Sequence, residues 1–280
     1  MVASLIDGIA VARDILDTAA ERAQEFAIAS GRRPCLATVL VGDDPASHTY
    51  VRMKVNRCAQ IGVESRRHDL PSHASTGDAL AVVQALSADP SVDGILVQHP
   101  TPPHVDERAL FEAIAPAKDV DGVTIASLGR MALGLPGFLS CTPGGILHLL
   151  DAYDIDVRSM TAVVVGRSAI LGKPMGLLLL QRDATVTYCH SHTADLPEIV
   201  ADADLIVAAI GRPEFIRGEW IKPDAVVIDA GYNVGNVGDV EFATALKRAS
   251  FITPVPGGVG PTTIAVLLEQ TVNAAIATVR

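Results

Sequence analysis

The chain has 280 residues, of which 49% are hydrophobic and 19% are charged, and its 22 basic and 32 acidic residues give a net charge of −10. This composition excludes a disordered chain, and the length favours one large or two modest domains. The acidic balance disfavours a broad nucleic-acid surface, which needs a basic stripe. Residence in a membrane is not expected either, because the apolar runs fall far short of the about 20 residues that a spanning helix needs.

The four cysteines, Cys35, Cys58, Cys141 and Cys189, stand far apart in the sequence. Without a CxxC pair, neither a zinc ribbon nor a disulfide scaffold is indicated, and no metal site is expected. The N-terminus does not have the charged-then-apolar layout of a secretory signal. These features predict a cytoplasmic protein whose thiols are reduced and mostly buried.

The predicted secondary structure alternates between strands and helices. A long helix comes first, over Ile9–Ala29, because Ala, Leu and Ile recur at helical spacing. Short apolar or β-branched runs then alternate with amphipathic stretches, which is typical of a parallel sheet covered on both faces. The predicted strands are Leu36–Val41, Gly94–Gln98, Ala162–Val165, Thr185–Tyr188, Leu205–Ala209 and Ala225–Ile228. The later predicted helices are Ser47–Ile61, Thr76–Ser87, Ile146–Tyr153 and Thr262–Val279.

A segment rich in glycine and proline, Gly129–Pro143, interrupts this alternation and predicts a domain boundary near residue 140. Pro254–Pro261 has the composition of a second hinge. We therefore predict an α/β fold of two domains. The first spans residues 1–140 and is completed by the C-terminal helix at residues 261–280, and the second spans residues 141–260.

The second domain opens with a strand that runs into a glycine turn at Gly166 and then into a helix. This is the setting of a dinucleotide site, because glycine lets the backbone approach a pyrophosphate and a helix N-terminus favours an anion. Ser168 stands at the second glycine position of a GxGxxG, and similar turns are common in α/β proteins that bind no cofactor. The turn by itself therefore leaves both interpretations open.

The end of the next predicted strand favours NADP over NAD. NAD-preferring sites usually place Asp or Glu there to bind the ribose hydroxyls, and this strand ends without an acid. The guanidinium of Arg167 and the hydroxyl of Ser191 suit a 2′-phosphate instead. The alternative is that Ser191 and Thr193 only cap the helix that follows.

In the first domain, Tyr50 and Lys54 are four residues apart and share one face of the predicted helix. Such a pair is most often a surface contact. Here, however, Gln98 ends a predicted strand at the carboxyl edge of the sheet, where α/β folds place ligands. Asp119 and Asp121 follow in a loop further along the chain. This combination indicates a ligand site.

Blocks along nearly the whole chain resemble the bifunctional methylenetetrahydrofolate dehydrogenase/methenyltetrahydrofolate cyclohydrolase family, in the family order. They are Val41–Ser47 followed by Tyr50 and Lys54, Gly94–Pro100, Lys118–Gly122, Cys141–Pro143, Gly166–Pro174 and Pro254–Pro261. The resemblance implies a Rossmann-like NADP-binding domain and an α/β catalytic domain with a cleft between them, in a chain that forms a homodimer. It also implies tetrahydrofolate derivatives as substrates and a place in one-carbon metabolism and purine biosynthesis.

The resemblance also assigns roles to particular residues. It implies Lys54 as the catalytic lysine with Tyr50 as its partner, Gln98 as the residue that positions the lysine, and Asp121 as the pterin-binding carboxylate. The implied substrate contacts are Tyr50, Val97, Gln98, His99 and Asp121, together with the glycine loop at Pro256, Gly257 and Gly258. The implied cofactor contacts are Gly166, Arg167, Ser168, Ser191 and Tyr232.

The sequence departs from the family pattern at several positions. Val123–Ser127 replaces a common Phe-His-Pro stretch beside Asp121, and His99 replaces a common leucine. His192 replaces a common arginine or lysine near the cofactor phosphate, which weakens the NADP prediction because a neutral imidazole holds phosphate poorly. Tyr232 stands where an aliphatic residue is usual, and Asn233–Gly238 is shortened.

Three other interpretations stay open at this point. The protein would retain only one of the two activities, would bind a nucleotide without turnover, or would be a dehydrogenase for another small metabolite. The presence of Lys54, Gln98 and Asp121 argues against a non-catalytic protein, which has no need of a proton-transfer lysine. A different dehydrogenase leaves the combination of Tyr50, Lys54 and Asp121 unexplained.

Overall fold

The computed structural model describes residues 2–43 and 45–279, and for residues 45–50 it describes the backbone alone. The named strands pair in parallel with their neighbours, which confirms the predicted α/β class. The chain forms two compact units. The large-sheet unit consists of Met1–Arg13, Arg130–Pro136 and Ser140–Thr263, and the small-sheet unit of Asp14–Gly129, Gly137–Leu139 and Ile264–Arg280. The predicted domain limits and the cleft stay predictions.

All six predicted strands are present, with bounds that differ by one residue at most at each end. The strands are β1 (Ser4–Leu5), β2 (Cys35–Val41), β3 (Glu64–Leu70), β4 (Gly94–Val97), β5 (Thr161–Val165), β6 (Thr185–Cys189), β7 (Leu205–Ala208), β8 (Val226–Asp229) and β9 (Phe251–Ile252). The short strands β1 and β9 and the polar strand β3 are additional to the prediction.

The predicted helices are also present. The helices are α1 (Gly8–Ser30), α2 (Pro45–Gln60), α3 (Thr76–Ala88), α4 (Glu107–Glu112), α5 (Ile125–Ala132), α6 (Cys141–Ala152), α7 (Gly172–Gln181), α8 (Leu196–Ala201), α9 (Phe242–Ala245) and α10 (Val259–Ala277). Helix α6 begins five residues earlier than predicted, so Cys141–Pro143 is a first helical turn rather than part of an irregular linker. Proline is compatible with a first turn because its missing N–H has no intrahelical partner there.

The large sheet has the strand order β1-β9-β8-β7-β5-β6. Strands β7 and β8 are buried at every position, as expected for parallel strands covered on both faces. The chain leaves β5 toward β6 on one side and then crosses to β7 on the other. The carboxyl ends of β5 and β7 therefore flank a topological switch point, the position at which open α/β sheets bind ligands.

The N-terminus of the chain is built into the large-sheet unit. Strand β1 pairs with β9 at the edge of the large sheet. The carboxylate of Asp7 accepts the backbone N–H groups of Ile9 and Ala10 at 2.9 and 3.1 Å and so caps the start of α1. A Cβ at Gly8 would overlap the carbonyl oxygen of Gly258, so only glycine fits where α1 begins.

The small sheet has the order β3-β2-β4, with β2 buried throughout and β3 at an edge. Charged side chains cover that edge strand: Arg66 forms ion pairs with Glu64 and Asp89, and Arg67 pairs with Asp69. Charges on an edge strand oppose pairing with other chains. Gln98 directly follows β4, and its backbone N–H donates to the carbonyl oxygen of Val39 in the central strand β2 at 2.8 Å, which positions the candidate site of this unit.

The four cysteines are free and buried, which confirms the predicted buried thiols. Burial raises the pKa of Cys35 to about 11 and that of Cys58 to about 12, so both are uncharged at neutral pH. Among the described helices, none combines the length and the apolar character needed to cross a lipid bilayer.

Candidate functional site

The small-sheet unit brings Lys54 and Gln98 together. The Nζ of Lys54 on α2 donates a hydrogen bond of 3.0 Å to the Oε1 of Gln98, which follows β4. Gln98 is only 7% exposed, and its Nε2 donates to the carbonyl oxygen of His99 at 2.8 Å. Both ends of the amide are therefore engaged, and the oxygen is directed at the lysine. The side chain of Tyr50 lies outside the described residues.

Asp121 and His99 face each other in the same unit. The Oδ2 of Asp121 is 4.0 Å from the Nε2 of His99, and their side chains are 14% and 31% exposed. The His99 ring also packs edge-on against Phe111, with ring centroids 6.2 Å apart. Val97, in β4, is buried. Asp121 is thus a partly buried carboxylate, and the imidazole of His99 is its neighbour.

Asp119 has a different role from Asp121, because its carboxylate is fully buried and organises the backbone. It accepts the N–H groups of Val123 and Thr124 at 3.0 and 2.9 Å and the hydroxyl of Ser127 at 2.5 Å. Asp119 therefore holds the segment Val123–Ser127, which departs from the family pattern, at the start of α5. Of these three contacts, only the one from Ser127 depends on the identity of the side chain.

The glycine turn of the large-sheet unit joins β5 to α7. Gly166 has a φ of +139°, and a Cβ there would overlap the carbonyl oxygen of Ala209. A Cβ at Gly172, the first residue of α7, would overlap the carbonyl oxygen of Gly166. Both positions therefore require glycine. The tight turn delivers the chain directly into a helix N-terminus, a setting that fits a pyrophosphate.

Ser168 stabilises this turn from the position at which a GxGxxG has its second glycine. Its Oγ accepts the backbone N–H groups of Leu171 and Gly172, each at 3.2 Å. The side chains of Ser168 and of its neighbour Arg167 are exposed. The serine is thus compatible with the turn because it hydrogen-bonds the start of α7.

The segment after β6 forms a closed turn. The Oγ1 of Thr193 accepts the N–H of His190 at 2.8 Å, and the Nδ1 of His190 accepts the N–H of His192 at 3.2 Å. Ser191 and His192 are exposed. Helix α8 begins after Asp195 without a side-chain cap, so the alternative in which Ser191 and Thr193 cap it is wrong.

The loop after β8 carries Tyr232. Its side chain is 57% exposed, and its hydroxyl donates to the Oδ1 of Asn236 at 2.5 Å. Asn233 and Val237 form an antiparallel bridge inside the shortened segment. The loop is therefore a compact turn with the tyrosine ring on its surface.

The predicted glycine loop precedes α10. Gly257 has a φ of +100°, and a Cβ at Gly258 would come within 2.6 Å of the carbonyl oxygen of Pro254. Pro256 follows a cis peptide bond. Because Gly8 packs on the carbonyl oxygen of Gly258, the start of α1 is in direct contact with this loop. No sequence signal identified Gly8.

Two buried aspartates were missed by the sequence reasoning: Asp229 ends β8, and Asp239 lies in the segment that follows β8. Asp229 is 3% exposed and Asp239 is 0% exposed. An acid that directly follows an apolar strand was the available signal for Asp229. Burial raises the pKa of Asp229 to about 6, and the charge of Asp239 acts in the same direction, against three backbone N–H donors that lower it.

We expect this raised pKa to appear in the pH dependence of stability. Because the pKa of Asp229 is about 6 in the folded protein, against an ordinary value of 3.8, the folded state binds the proton more tightly than the unfolded state. We compare the free energy of unfolding of the wild type with that of Asp229→Asn. The difference, wild type minus variant, should rise by about 2 kcal/mol as the pH is lowered from 7.5 to 4.5. Urea titrations of both proteins measure it, and a difference independent of pH would contradict the raised pKa.

Comparison with known proteins matches both halves of the chain to one family. The family model "Tetrahydrofolate dehydrogenase/cyclohydrolase, catalytic domain" matches residues 6–121, and "Tetrahydrofolate dehydrogenase/cyclohydrolase, NAD(P)-binding domain" matches residues 140–279. The bifunctional protein FolD 1 of Salinispora arenicola is 66% identical over 98% of this chain and 99% of its own length.

Solved structures give the same result. A bifunctional FolD methylenetetrahydrofolate dehydrogenase/cyclohydrolase from Campylobacter jejuni is 43% identical, with a TM-score of 0.96 and 99% of both chains covered. The FolD enzyme of Trypanosoma brucei, solved with NADP cofactor and an inhibitor, is 37% identical, with a TM-score of 0.96 over 100% of this chain and 99% of that one. The chain belongs to the tetrahydrofolate dehydrogenase/cyclohydrolase family.

Proposed function

We propose that this protein is a bifunctional one-carbon folate enzyme. It oxidises 5,10-methylenetetrahydrofolate to 5,10-methenyltetrahydrofolate with NADP, and it hydrolyses the methenyl product to 10-formyltetrahydrofolate. The observation that carries the proposal is the hydrogen bond of 3.0 Å from the Lys54 amine to Gln98, in a chain that contains both domains of the family.

The oxidation depends mainly on positioning. Removal of a hydride from the methylene carbon leaves a cation that its two flanking nitrogens stabilise, so no acid or base is required. Bound NADP supplies the hydride acceptor. The turn from Gly166 to Gly172 would hold its pyrophosphate, and Arg167, Ser168, Ser191 and Tyr232 would provide the other cofactor contacts.

The hydrolysis requires proton transfer. Water adds to the methenyl carbon, and one C–N bond then breaks with a proton delivered to the departing nitrogen. A lysine amine can serve as base and then as acid in such a sequence. In this protein Lys54 has that role, Gln98 orients its amine without adding charge, and Tyr50 is its partner on the same helix.

Substrate binding requires a group that recognises the pterin edge. Asp121 is suited to this because a carboxylate accepts two hydrogen bonds from an aminopyrimidinone. Its partial exposure leaves it accessible, whereas Asp119 is occupied by backbone donors. His99 and Val97 are the other proposed substrate contacts in this unit.

The cofactor preference proposed is NADP over NAD. The T. brucei relative was solved with NADP, and β6 of this chain ends without an acid. The exposed side chains of Ser191 and Arg167 provide a hydroxyl and a guanidinium for a 2′-phosphate. Turnover at equal concentrations of NADP and NAD tests this preference, and faster turnover with NAD would contradict it.

The decisive assay supplies methylenetetrahydrofolate and NADP and follows NADPH and methenyl absorbance separately. We expect NADPH to form while the methenyl intermediate is consumed. NADPH with accumulating methenyl product would leave only the dehydrogenase, and no NADPH would favour a nucleotide-binding protein without turnover.

We also propose that the enzyme is a cytoplasmic homodimer whose 10-formyl product serves purine biosynthesis. Strand β6 is an edge of the large sheet, and apolar Leu180 and Tyr188 are exposed on α7 and β6. An edge strand flanked by exposed apolar groups favours association with a second copy. Light scattering after gel filtration should give the mass of a dimer, and the mass of a monomer would contradict this.

A further inference from the structure

The buried carboxylate of Asp239 ties together two loops at the carboxyl edge of the large sheet. Its Oδ2 accepts the N–H groups of Ile210 and Gly211 at 2.6 and 2.9 Å. Its Oδ1 accepts the N–H of Arg212 at 2.9 Å and the Nδ2 of Asn233 at 3.0 Å. One side chain therefore connects the loop after β7 with the loop after β8.

The backbone at residues 210–212 is shaped around this carboxylate. Gly211 has a φ of +70°, which lets three successive N–H groups converge on one anion, an arrangement known as a nest. A carboxylate of the protein itself occupies the nest. Its position, together with that of the loop, is therefore set before any ligand arrives.

Asp229 holds Asp239 in turn. Its Oδ1 accepts the N–H groups of Gly231 and Asp239 at 2.9 and 3.0 Å, and its Oδ2 accepts the N–H of Val240 at 2.9 Å. A Cβ at Gly231 would overlap the carboxylate of Asp239, and one at Gly238 would overlap that of Asp229. The two carboxylates and the loop around them thus form a single packed arrangement.

This arrangement borders the glycine turn. The loop at residues 210–212 directly follows Ala209, whose carbonyl oxygen packs on Gly166. Tyr232 lies between Gly231 and Asn233, two residues that hydrogen-bond to the carboxylates. Both loops tied by Asp239 therefore lie beside residues to which the proposed function gives contacts with NADP.

We propose that Asp239, supported by Asp229, is a positioning residue for the dinucleotide. It fixes the backbone at residues 210–212 and the base of the Tyr232 loop, and so keeps the cofactor surface next to Gly166 in its binding geometry. This inference rests on the proposed function, because it concerns the same NADP site. It assigns Asp239 no contact with the cofactor and no part in the hydrolysis.

Asp239→Asn tests the inference. Each oxygen of Asp239 accepts two N–H donors, so the NH₂ group of an asparagine in either orientation would face two donors and lose both hydrogen bonds. Binding of NADPH, measured by its fluorescence, should weaken at least about tenfold, and the KM for NADP should rise similarly with a smaller change in kcat. Hydrolysis of supplied methenyltetrahydrofolate without nucleotide should stay within about twofold of wild type.

Asp204→Asn is the matched control in the same unit. Asp204 also accepts a backbone N–H, that of Thr161 at 2.9 Å, but it precedes β7 and lies at the amino edge of the sheet. NADPH binding by this variant should stay within about twofold of wild type. A loss equal to that of Asp239→Asn would show a general loss of structure and would overturn the inference.

Asn233→Ala provides a milder second variant, since it removes one donor to Asp239 and leaves the backbone nest intact. It should weaken NADPH binding about threefold. If folded Asp239→Asn and Asn233→Ala both bind NADPH with wild-type affinity, the inference about Asp239 is overturned and the proposed function is not. The same holds if these variants lose the hydrolysis as strongly as they lose NADPH binding. A wild-type protein that binds no NADPH would contradict the proposed function and this inference with it.

Discussion

Lys54→Met is expected to abolish the hydrolysis of methenyltetrahydrofolate while leaving the oxidation of methylenetetrahydrofolate. The variant removes the amine that lies 3.0 Å from Gln98 Oε1 and keeps a side chain of similar length. General acid–base catalysis contributes about 10² to 10⁴ in rate, so the hydrolysis should fall to near its spontaneous rate. Hydride transfer needs no proton donor, and NADPH should form with accumulation of the methenyl product.

Two variants make this result specific. Lys54→Arg retains the positive charge but does not lose a proton at accessible pH, so it too should lack the hydrolysis. Arg52→Met removes a neighbouring exposed cation from the same helix and should leave both rates within about twofold of wild type. Hydrolysis by Lys54→Met at the wild-type rate would exclude the lysine from proton transfer.

Gly166→Ala is expected to have the opposite effect, with loss of the oxidation and retention of the hydrolysis. Gly166 has a φ of +139°, and its new Cβ would overlap the carbonyl oxygen of Ala209. Relief of that overlap must displace the turn from β5 to α7, so the KM for NADP should rise at least about 100-fold. Hydrolysis of supplied methenyltetrahydrofolate measures the other activity in the same preparation.

Gly134→Ala separates backbone strain from displacement of the turn. Gly134 lies in the same unit with a φ of +66°, but no atom stands within 4 Å of a Cβ placed there. It should lose about 1 kcal/mol of stability and keep the wild-type KM for NADP. If Gly166→Ala also keeps that KM, the glycine turn does not bind the cofactor.

The apolar strands were predictable because burial on both faces leaves a continuous hydrophobic run. Strand β3 was missed for the opposite reason, since Glu64–Leu70 is a polar edge strand whose charges pair with one another. Strands β1 and β9 contain two residues each, too few for any periodicity to be visible. Their pairing depends on a contact that joins opposite ends of the sequence.

The candidate site was predictable only in part. A tyrosine and a lysine at helical spacing do not by themselves indicate catalysis, and it was the family resemblance that singled out Lys54 and Gln98. Their hydrogen bond then follows from the placement of α2 beside the end of β4. The roles of Asp119 and Asp239 were not predictable, because each depends on backbone N–H groups that converge only in the folded chain.

The pairing of β1 with β9 has a consequence for synthesis on the ribosome. Ser4 and Leu5 emerge almost 250 residues before their partners Phe251 and Ile252. Folding of the small-sheet unit also depends on a late segment, because the Nε2 of Gln270 on α10 donates to the carbonyl oxygen of Val120 at 2.8 Å. Domains usually fold in order as they leave the ribosome. Here neither unit has all of its contacts until residues 251–270 have been synthesised, so we expect both units to complete their folding late rather than one after the other.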